Sequence, residues 1–198
     1  MYHRYMPLPR FSRLPEAKRA AILTVAARHF ATDGPETASY NAILAEAGIS
    51  KASAYQYFDS RADLLEAVLH EVAGDLLGVL GVWRPSRDAA DFAEQWRAGA
   101  TRLAEALRGD EVLLALAPHC LARGVSGEGP RVWMTALIAD GQRIGVVRDD
   151  LDTTLLIDVS LAVLTEIDRW ALAELAAGRE PDPDAAYALL DSLWRKGA

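Results

Sequence analysis

Apolar residues recur at helical spacing along most of the chain and divide it into a series of short and long helices. The first helix is expected to begin near Pro15 and Glu16, because proline and an acidic residue are both favoured in a first turn. Gly34 and Pro35 end it. Its inward positions are Ile22, Val25, Ala26, His29 and Phe30. Because alternation typical of strands is rare, the pattern predicts an all-α fold.

The next segment predicts two short helices joined by a glycine turn. The first of them has its buried face at Ile43, Leu44 and Ala47. Gly48 follows where a helix ends by entering the left-handed conformation, which costs least for glycine. Ser50 can then cap the second helix. This layout is typical of a helix-turn-helix, although glycine-turned helix pairs also occur in all-α proteins with other functions.

The second short helix has two distinct sides. Ala54 and Phe58 are four residues apart and can face inward. The opposite side carries Lys51, Ala52, Ser53, Tyr55 and Tyr57. This small, hydroxylated, aromatic and basic surface suits insertion into a DNA major groove.

A longer helix follows, and Ser60 is placed to cap it. Its apolar positions are Leu64, Leu65, Val68, Leu69 and Val72. Three helices followed by a long fourth predict a compact DNA-reading head over residues 15–61, joined directly to a larger body over residues 62–198. Candidate helices of the body lie near 62–80, 88–107, 111–122, 130–145, 153–177 and 183–196.

Residues 22–69 resemble the DNA-binding domain of the TetR (tetracycline repressor) family of bacterial transcriptional regulators. The matching positions are Ile22-Leu23, Ala26-Ala27, Phe30, Gly34, Ser39, Ile43, Ala47-Gly48-Ile49-Ser50, Tyr55, Tyr57-Phe58, Leu64-Leu65 and Val68-Leu69. Three departures are mild: Leu44 replaces the usual Ala, Ala54 replaces a larger aliphatic residue, and Arg61 replaces Lys. The resemblance implies an all-α protein of about nine helices with a regulatory and dimerisation body.

The net charge of −7 is unusual for a DNA-binding protein until the chain is divided. Residues 1–61 contain eight Lys/Arg and five Asp/Glu, which gives +3, whereas the remainder carries −10. This asymmetry directs nucleic acid to the head, although an acidic surface also simply favours solubility. Residues 1–14 include Pro7 and Pro9 without a helical period. We expect there a flexible basic arm, either a DNA contact or an unstructured end.

Within the head, Tyr55, Tyr57 and Arg61 are expected to contact phosphates, and Lys51 lies nearest the base edges. Lys51 could instead contact only phosphate, and Tyr55 could pack on the fourth helix. The candidate DNA-binding residues are Ser39, Asn41, Ser50, Lys51, Ala52, Ser53, Tyr55, Gln56, Tyr57 and Arg61.

The last two helices are apolar around much of their circumference and must be covered on two sides. The family resemblance implies that they form a four-helix interface in a homodimer, which would bind a palindromic operator in double-stranded DNA with recognition helices about 34–36 Å apart. The expected interface residues are Leu156, Val159, Val163, Tyr187, Leu190, Leu193 and Trp194.

The resemblance also implies a pocket for an unidentified small-molecule effector. Pockets are mostly apolar with a few placed polar groups, although such side chains at helical spacing are more often core. The candidate residues are Phe92, Trp96, Leu116, His119, Cys120, Trp133, Leu137, Thr165, Asp168 and Trp170.

The sequence lacks a glycine-rich phosphate loop, an H-E-x-x-H motif and a Cys/His metal set, so no enzyme, metal or cofactor is expected. The single cysteine, the short apolar runs and the polar start indicate a soluble, cytoplasmic protein without membrane partners. We expect a repressor released by its effector. Alternatives are a constitutive regulator or an activator and, more remotely, a protein-binding adaptor, which the intact Lys51, Tyr55, Tyr57 and Arg61 disfavour.

Overall fold

The computed structural model describes residues 8–124 and 128–195, and this part of the chain contains ten helices and no strand. The helices are α1 Pro9–Ser12, α2 Glu16–Asp33, α3 Tyr40–Glu46, α4 Lys51–Ala54, α5 Arg61–Leu80, α6 Ala89–Gly109, α7 Glu111–Arg123, α8 Gly129–Arg143, α9 Thr153–Ala176 and α10 Pro183–Trp194. The expected all-α class is confirmed. The additional helix is α1.

Side chains cap the helices where the sequence places short polar residues. The Asp88 carboxylate accepts the Asp91 N–H at 2.9 Å at the start of α6. Asp152 accepts the Leu155 N–H at 2.9 Å at the start of α9. Each such cap satisfies an amide that has no partner within the helix, and it contributes about 1 kcal/mol. No helix in the described ranges is long and apolar enough to cross a bilayer.

The chain divides into two compact units, the first of which comprises residues 1–73 and 111–125. It contains α1 to α4, the first part of α5, and α7. Its largest fully buried side chains are Ile22, Phe30, Ile43, Phe58, Leu64, Leu65, Leu69 and Leu116. The apolar stripes expected for α2, α3 and α5 therefore meet in one core.

The first unit differs from the expected head of residues 15–61, because α7 and the first part of α5 belong to it. Helix α7 packs on α2, and its Leu116 and Ala117 are buried. The Cys120 thiol is also buried and donates to the Leu69 carbonyl at 3.4 Å. Burial raises the pKa of this thiol to about 11, so it stays protonated at neutral pH and acts as a small core residue.

The second unit comprises residues 74–110 and 126–198 and is centred on tryptophan. The Trp83 ring lies 4.9 Å from Phe92 and 5.5 Å from Trp133, in edge-to-face geometry. Trp194, which is 1% exposed, meets Phe92 at 6.0 Å. Such pairs add to the burial of large apolar surfaces, and they join α6, α8 and α10 through their aromatic side chains.

Two buried carboxylates fix the loop that precedes α6. Asp140 accepts the Trp83 indole N–H at 3.0 Å and the Ser86 amide at 2.9 Å. Burial alone would raise its pKa, but these donors and Arg143 lower it overall. Asp91 accepts from the Arg87 backbone and from Arg84 and Arg87 side chains, and its pKa lies well below its usual range. Both carboxylates are therefore ionised and bonded at neutral pH.

Asp168 on α9 behaves differently from these two carboxylates. It has no hydrogen-bond or ion-pair partner among the described residues, and burial raises its pKa from 3.8 to about 7. The folded protein therefore holds this proton more tightly than the unfolded chain does. Stability is lost as the pH rises between these two pKa values, because ionisation then favours the unfolded state.

We expect Asp168→Asn to remove this pH dependence and to be more stable than the wild type at pH 8, because its neutral side chain does not ionise whereas the wild-type carboxyl does. Urea unfolding from pH 4 to pH 8 measures the difference. Asp158→Asn, on the exposed side of the same helix beside Arg131, is the control and should change little. Parallel pH profiles for the wild type and Asp168→Asn would contradict this account.

Candidate nucleic-acid interface

The turn between α3 and α4 has the geometry that the glycine predicted. Gly48 has φ +65°, a conformation that other L-residues rarely adopt. The Ile49 N–H donates to the Leu44 carbonyl at 3.0 Å, and both side chains are buried. This turn sets the angle between the two helices, because its backbone bond and its two apolar side chains hold it from the inside.

Helix α4 is short but is stabilised at both ends. The Ser50 hydroxyl accepts the Ser53 N–H at 3.1 Å and donates to the Ser53 hydroxyl at 3.0 Å. After Ala54 the backbone continues through one further turn, and the Phe58 N–H donates to the Ala54 carbonyl at 2.8 Å. Ala54 and Phe58 are fully buried, as predicted. The recognition helix is therefore fixed by its cap and by two inward side chains.

The opposite side of this helix and the start of α3 are open to solvent. Tyr55 is 61% exposed, and Ser53 and Tyr57 are partly exposed. Ser39 caps α3 by accepting the Ala42 N–H at 3.4 Å. The exposed members of the candidate set are Ser39, Asn41, Ser50, Lys51, Ala52, Tyr55 and Gln56. The two helices of the motif therefore present most of the expected residues to solvent.

Arg61 is placed differently from the expectation. Its guanidinium donates to the Pro35 carbonyl and lies 3.5 Å from the Glu36 carboxylate. Glu36 also pairs with Arg123 of α7 at 2.7 Å. We therefore remove Arg61 from the expected phosphate contacts, because it ties the start of α5 to the loop between α2 and α3.

A segment before α2 contacts the recognition element, a contact that the sequence pattern did not predict. The Leu8 N–H donates to the Tyr57 carbonyl at 2.8 Å. The Phe11 ring is 4.7 Å from Phe58 and 6.1 Å from Tyr57. The expectation of a flexible arm is therefore wrong for residues 8–14, and residues 1–7 lie outside the described residues. A single helical turn is too short to show a period, and Pro9 at its first position was the one local signal.

Charges in the first unit favour an anion at this surface. Glu46 at the end of α3 pairs with Arg28 at 2.7 Å and with His29 at 2.8 Å. The hydrogen bond from His29, followed by Arg28, lowers the pKa of Glu46, so the negative charge is compensated locally. By contrast, neither Lys51 nor Arg10 has a carboxylate partner among the described residues.

In the second unit, part of the expected dimer interface is already used by the core. Leu156, Leu190 and Trp194 are at most 1% exposed, and the Trp194 indole donates to Ser160 at 2.9 Å. We therefore remove these three residues from the expected interface, because they cannot meet a second chain. Val159 is 38% exposed, and Val163, Tyr187 and Leu193 are partly exposed. Exposed apolar side chains that the expectation omitted are Leu155, Trp170 and Leu189.

The residues expected to form an effector pocket are divided between the two units. Leu116, His119 and Cys120 belong to the first unit, and the other seven belong to the second. Phe92 and Leu137 are fully buried in the packed core. A small cleft of about 160 Å³ lies elsewhere in the second unit. Of the expected residues only Trp133 lines it, together with polar and charged neighbours that include Arg84, Glu94, Gln95 and Arg102.

A family model described as bacterial regulatory proteins of the tetR family matches residues 22–68. This range runs from α2 to α5 and includes the whole helix-turn-helix. Residues 22–68 belong to the tetR family. The match therefore includes the exposed surface of α3 and α4. None of the curated proteins matches the chain significantly.

Solved structures share the fold of most of the chain. The regulator FadR from Bacillus subtilis, in complex with stearoyl-CoA, has a TM-score of 0.64 at 16% identity, covering 90% of this chain and 99% of its own. SmeT, the repressor of the Stenotrophomonas maltophilia multidrug efflux pump SmeDEF, has a TM-score of 0.63 at 20% identity. The match covers 92% of this chain and 90% of SmeT. A TetR family protein from Vibrio parahaemolyticus has a TM-score of 0.60 at 23% identity, and the match covers 89% of this chain and 96% of that protein. These likenesses extend the tetR-family fold to the second unit.

Substitutions of Arg61 and Lys51, the two cationic side chains of the expected DNA-binding set, test this difference directly. Arg61→Ala should lower the free energy of unfolding by about 1–3 kcal/mol, because it leaves the Pro35 carbonyl without its donor. The salt dependence of DNA binding should not change. Lys51→Ala is the matched variant and should affect binding without loss of stability. A flatter salt dependence for Arg61→Ala would restore its role as a phosphate contact.

Proposed function

We propose that this DNA-binding, tetR-family regulator is a cytoplasmic repressor that occupies a palindromic operator as a homodimer and is released by a small-molecule effector. The observation that carries the proposal is the exposed surface of α4, held by the Gly48 turn, the Ser50 cap and the burial of Phe58. A surface fixed in this way can enter a major groove without the cost of ordering it first.

The side chains on this surface divide into base contacts and phosphate contacts. Lys51 lies in the first turn of α4 and is exposed, so its ammonium can donate to guanine O6 or N7. The exposed methyl group of Ala52 can contact a thymine methyl. Tyr55, Tyr57 and the Ser39 hydroxyl suit phosphate oxygens, which position the domain without reading sequence.

A second copy of the chain is the proposed partner of α9 and α10. Leu155 on α9 is 55% exposed, Trp170 is 41% exposed, and Leu189 on α10 is 60% exposed. Large exposed apolar side chains on two neighbouring helices suit an interaction surface. A two-fold axis would bring each of them against its equivalent or its neighbour, and it would present two recognition helices to a palindrome.

Binding of an effector would require the second unit to rearrange. FadR was solved with stearoyl-CoA, and SmeT represses a multidrug efflux pump. In this chain the cleft of about 160 Å³ is close to the size of engineered cavities that hold benzene. A larger effector would therefore have to bind a more open state of the second unit and shift the population toward it. A regulator without an effector is the alternative.

Selection of bound duplexes from a random DNA pool tests the proposal directly. The selected sites should be palindromes with half-sites one helical turn apart. Lys51→Ala should lower affinity for the selected site by about 1–3 kcal/mol and relax preference at one base pair in each half-site. Equal loss on selected and random DNA would contradict base reading by Lys51, and a selection without any enriched site would contradict operator binding.

The dimer surface is tested with charges placed on exposed apolar residues. Leu189→Glu should give a folded monomer in sedimentation and lose palindrome binding, because an ionised carboxylate would be buried in the interface without a partner. Val82→Glu is the matched control, since Val82 is 95% exposed and lies outside α9 and α10. A dimer of unchanged mass for Leu189→Glu would exclude this part of α10 from the interface.

A further inference from the structure

The short helix α1 and the residue before it are attached to the recognition element at three points. The Leu8 N–H donates to the Tyr57 carbonyl at 2.8 Å. The Phe11 ring packs on Phe58 at 4.7 Å. The Arg10 guanidinium donates to the Gln56 side-chain carbonyl at 2.6 Å. All three contacts fall on residues 56–58, the turn that directly follows α4.

These contacts account for the position of α1. A four-residue helix has no stability of its own, so its place is set by what it packs against. Phe11 is 4% exposed and Phe58 is fully buried, so the Phe11 ring closes the core behind the recognition turn. From the next segment, the Arg19 guanidinium donates to the Ser12 and Leu14 carbonyls at 3.1 and 2.7 Å. The segment from 8 to 14 is therefore fixed at both ends.

The same segment carries positive charge that the protein does not neutralise. Arg10 and Arg13 are exposed, and neither has a carboxylate partner among the described residues. The one bond of Arg10 goes to a neutral amide, so its charge is uncompensated and most of its five N–H donors stay open. A guanidinium with free donors suits the two oxygens of a phosphate.

We propose that α1 is part of the DNA-binding surface, in which Arg10 contacts a backbone phosphate and Phe11 positions Tyr57 from behind. This inference rests on the proposed DNA-binding function. Gln56 then holds Arg10 at the end of the recognition turn, so that one phosphate contact is supplied by a segment outside the helix-turn-helix.

Arg10→Gln tests the phosphate contact in the full-length protein. Each phosphate contact adds about 0.9 to the slope of log affinity against log salt. Raising salt from about 50 to about 200 mM should therefore weaken Arg10→Gln about threefold less than the wild type for each protomer bound. The loss of affinity should be similar on selected and random DNA, and Arg10→Lys should restore most of the slope.

Arg179→Gln is the matched control, because it removes the same charge from an exposed residue of the second unit, where Arg179 pairs with Glu174. Its salt slope should equal that of the wild type. An unchanged slope for Arg10→Gln, or an equal change in both variants, would overturn the phosphate contact. Failure of the wild type itself to bind DNA would instead refute the proposed function, so the two failures are distinguishable.

Phe11→Leu tests the positioning role, and circular dichroism and thermal melting establish that the variant is folded. It keeps an apolar side chain on Phe58 but loses the ring contact with Tyr57. We expect the ratio of specific to random affinity to fall severalfold, whereas the salt slope stays unchanged. A folded Phe11→Leu with the wild-type ratio would show that Phe11 only fills the core, and it would overturn the positioning role.

Discussion

The burial of Phe58 fixes the part of the molecule that meets DNA. This ring follows α4 by four residues, its N–H bonds back to the Ala54 carbonyl at 2.8 Å, and its side chain is fully buried. Because α4 alone has only four residues, it cannot hold its own orientation. Its direction comes from Ala54 and Phe58 on the inside, from the Gly48 turn before it, and from Phe11 beyond it. The exposed side chains of α4 are therefore held in a fixed orientation.

The ion pairs of the first unit also help to hold the segments around the recognition helix in place. Arg61, a cation close to the recognition turn, is used to join the loop after α2 to the start of α5, and Glu36 links it to Arg123 of α7. Glu46 is likewise paired with Arg28 and hydrogen-bonded to His29. Surface ion pairs of this kind contribute little stability. Their larger effect is to remove carboxylate charge that would otherwise repel phosphates.

Local features were predictable from the sequence, whereas contacts between distant segments were not. The Ser50 cap and the glycine turn depend on residues within five positions of each other, and these were predicted correctly. The partner of Arg61 lies 26 residues away, so no local pattern could distinguish it from a phosphate contact. Leu190 and Trp194 belong to an apolar stripe, but a stripe does not tell whether its neighbour is the same chain or a second copy.

The second unit shows why effector binding could not be located from residue types alone. Aromatic residues at helical spacing were consistent with a pocket, yet Trp83 packs edge-to-face on Phe92 and Trp133, and Phe92 packs edge-to-face on Trp194. Trp96 differs, because its indole N–H is buried without a hydrogen-bond partner. An unsatisfied buried donor costs about 1–3 kcal/mol, and that cost is recovered when an acceptor reaches it. The Trp96 indole N–H therefore adds to the cost of packing this core.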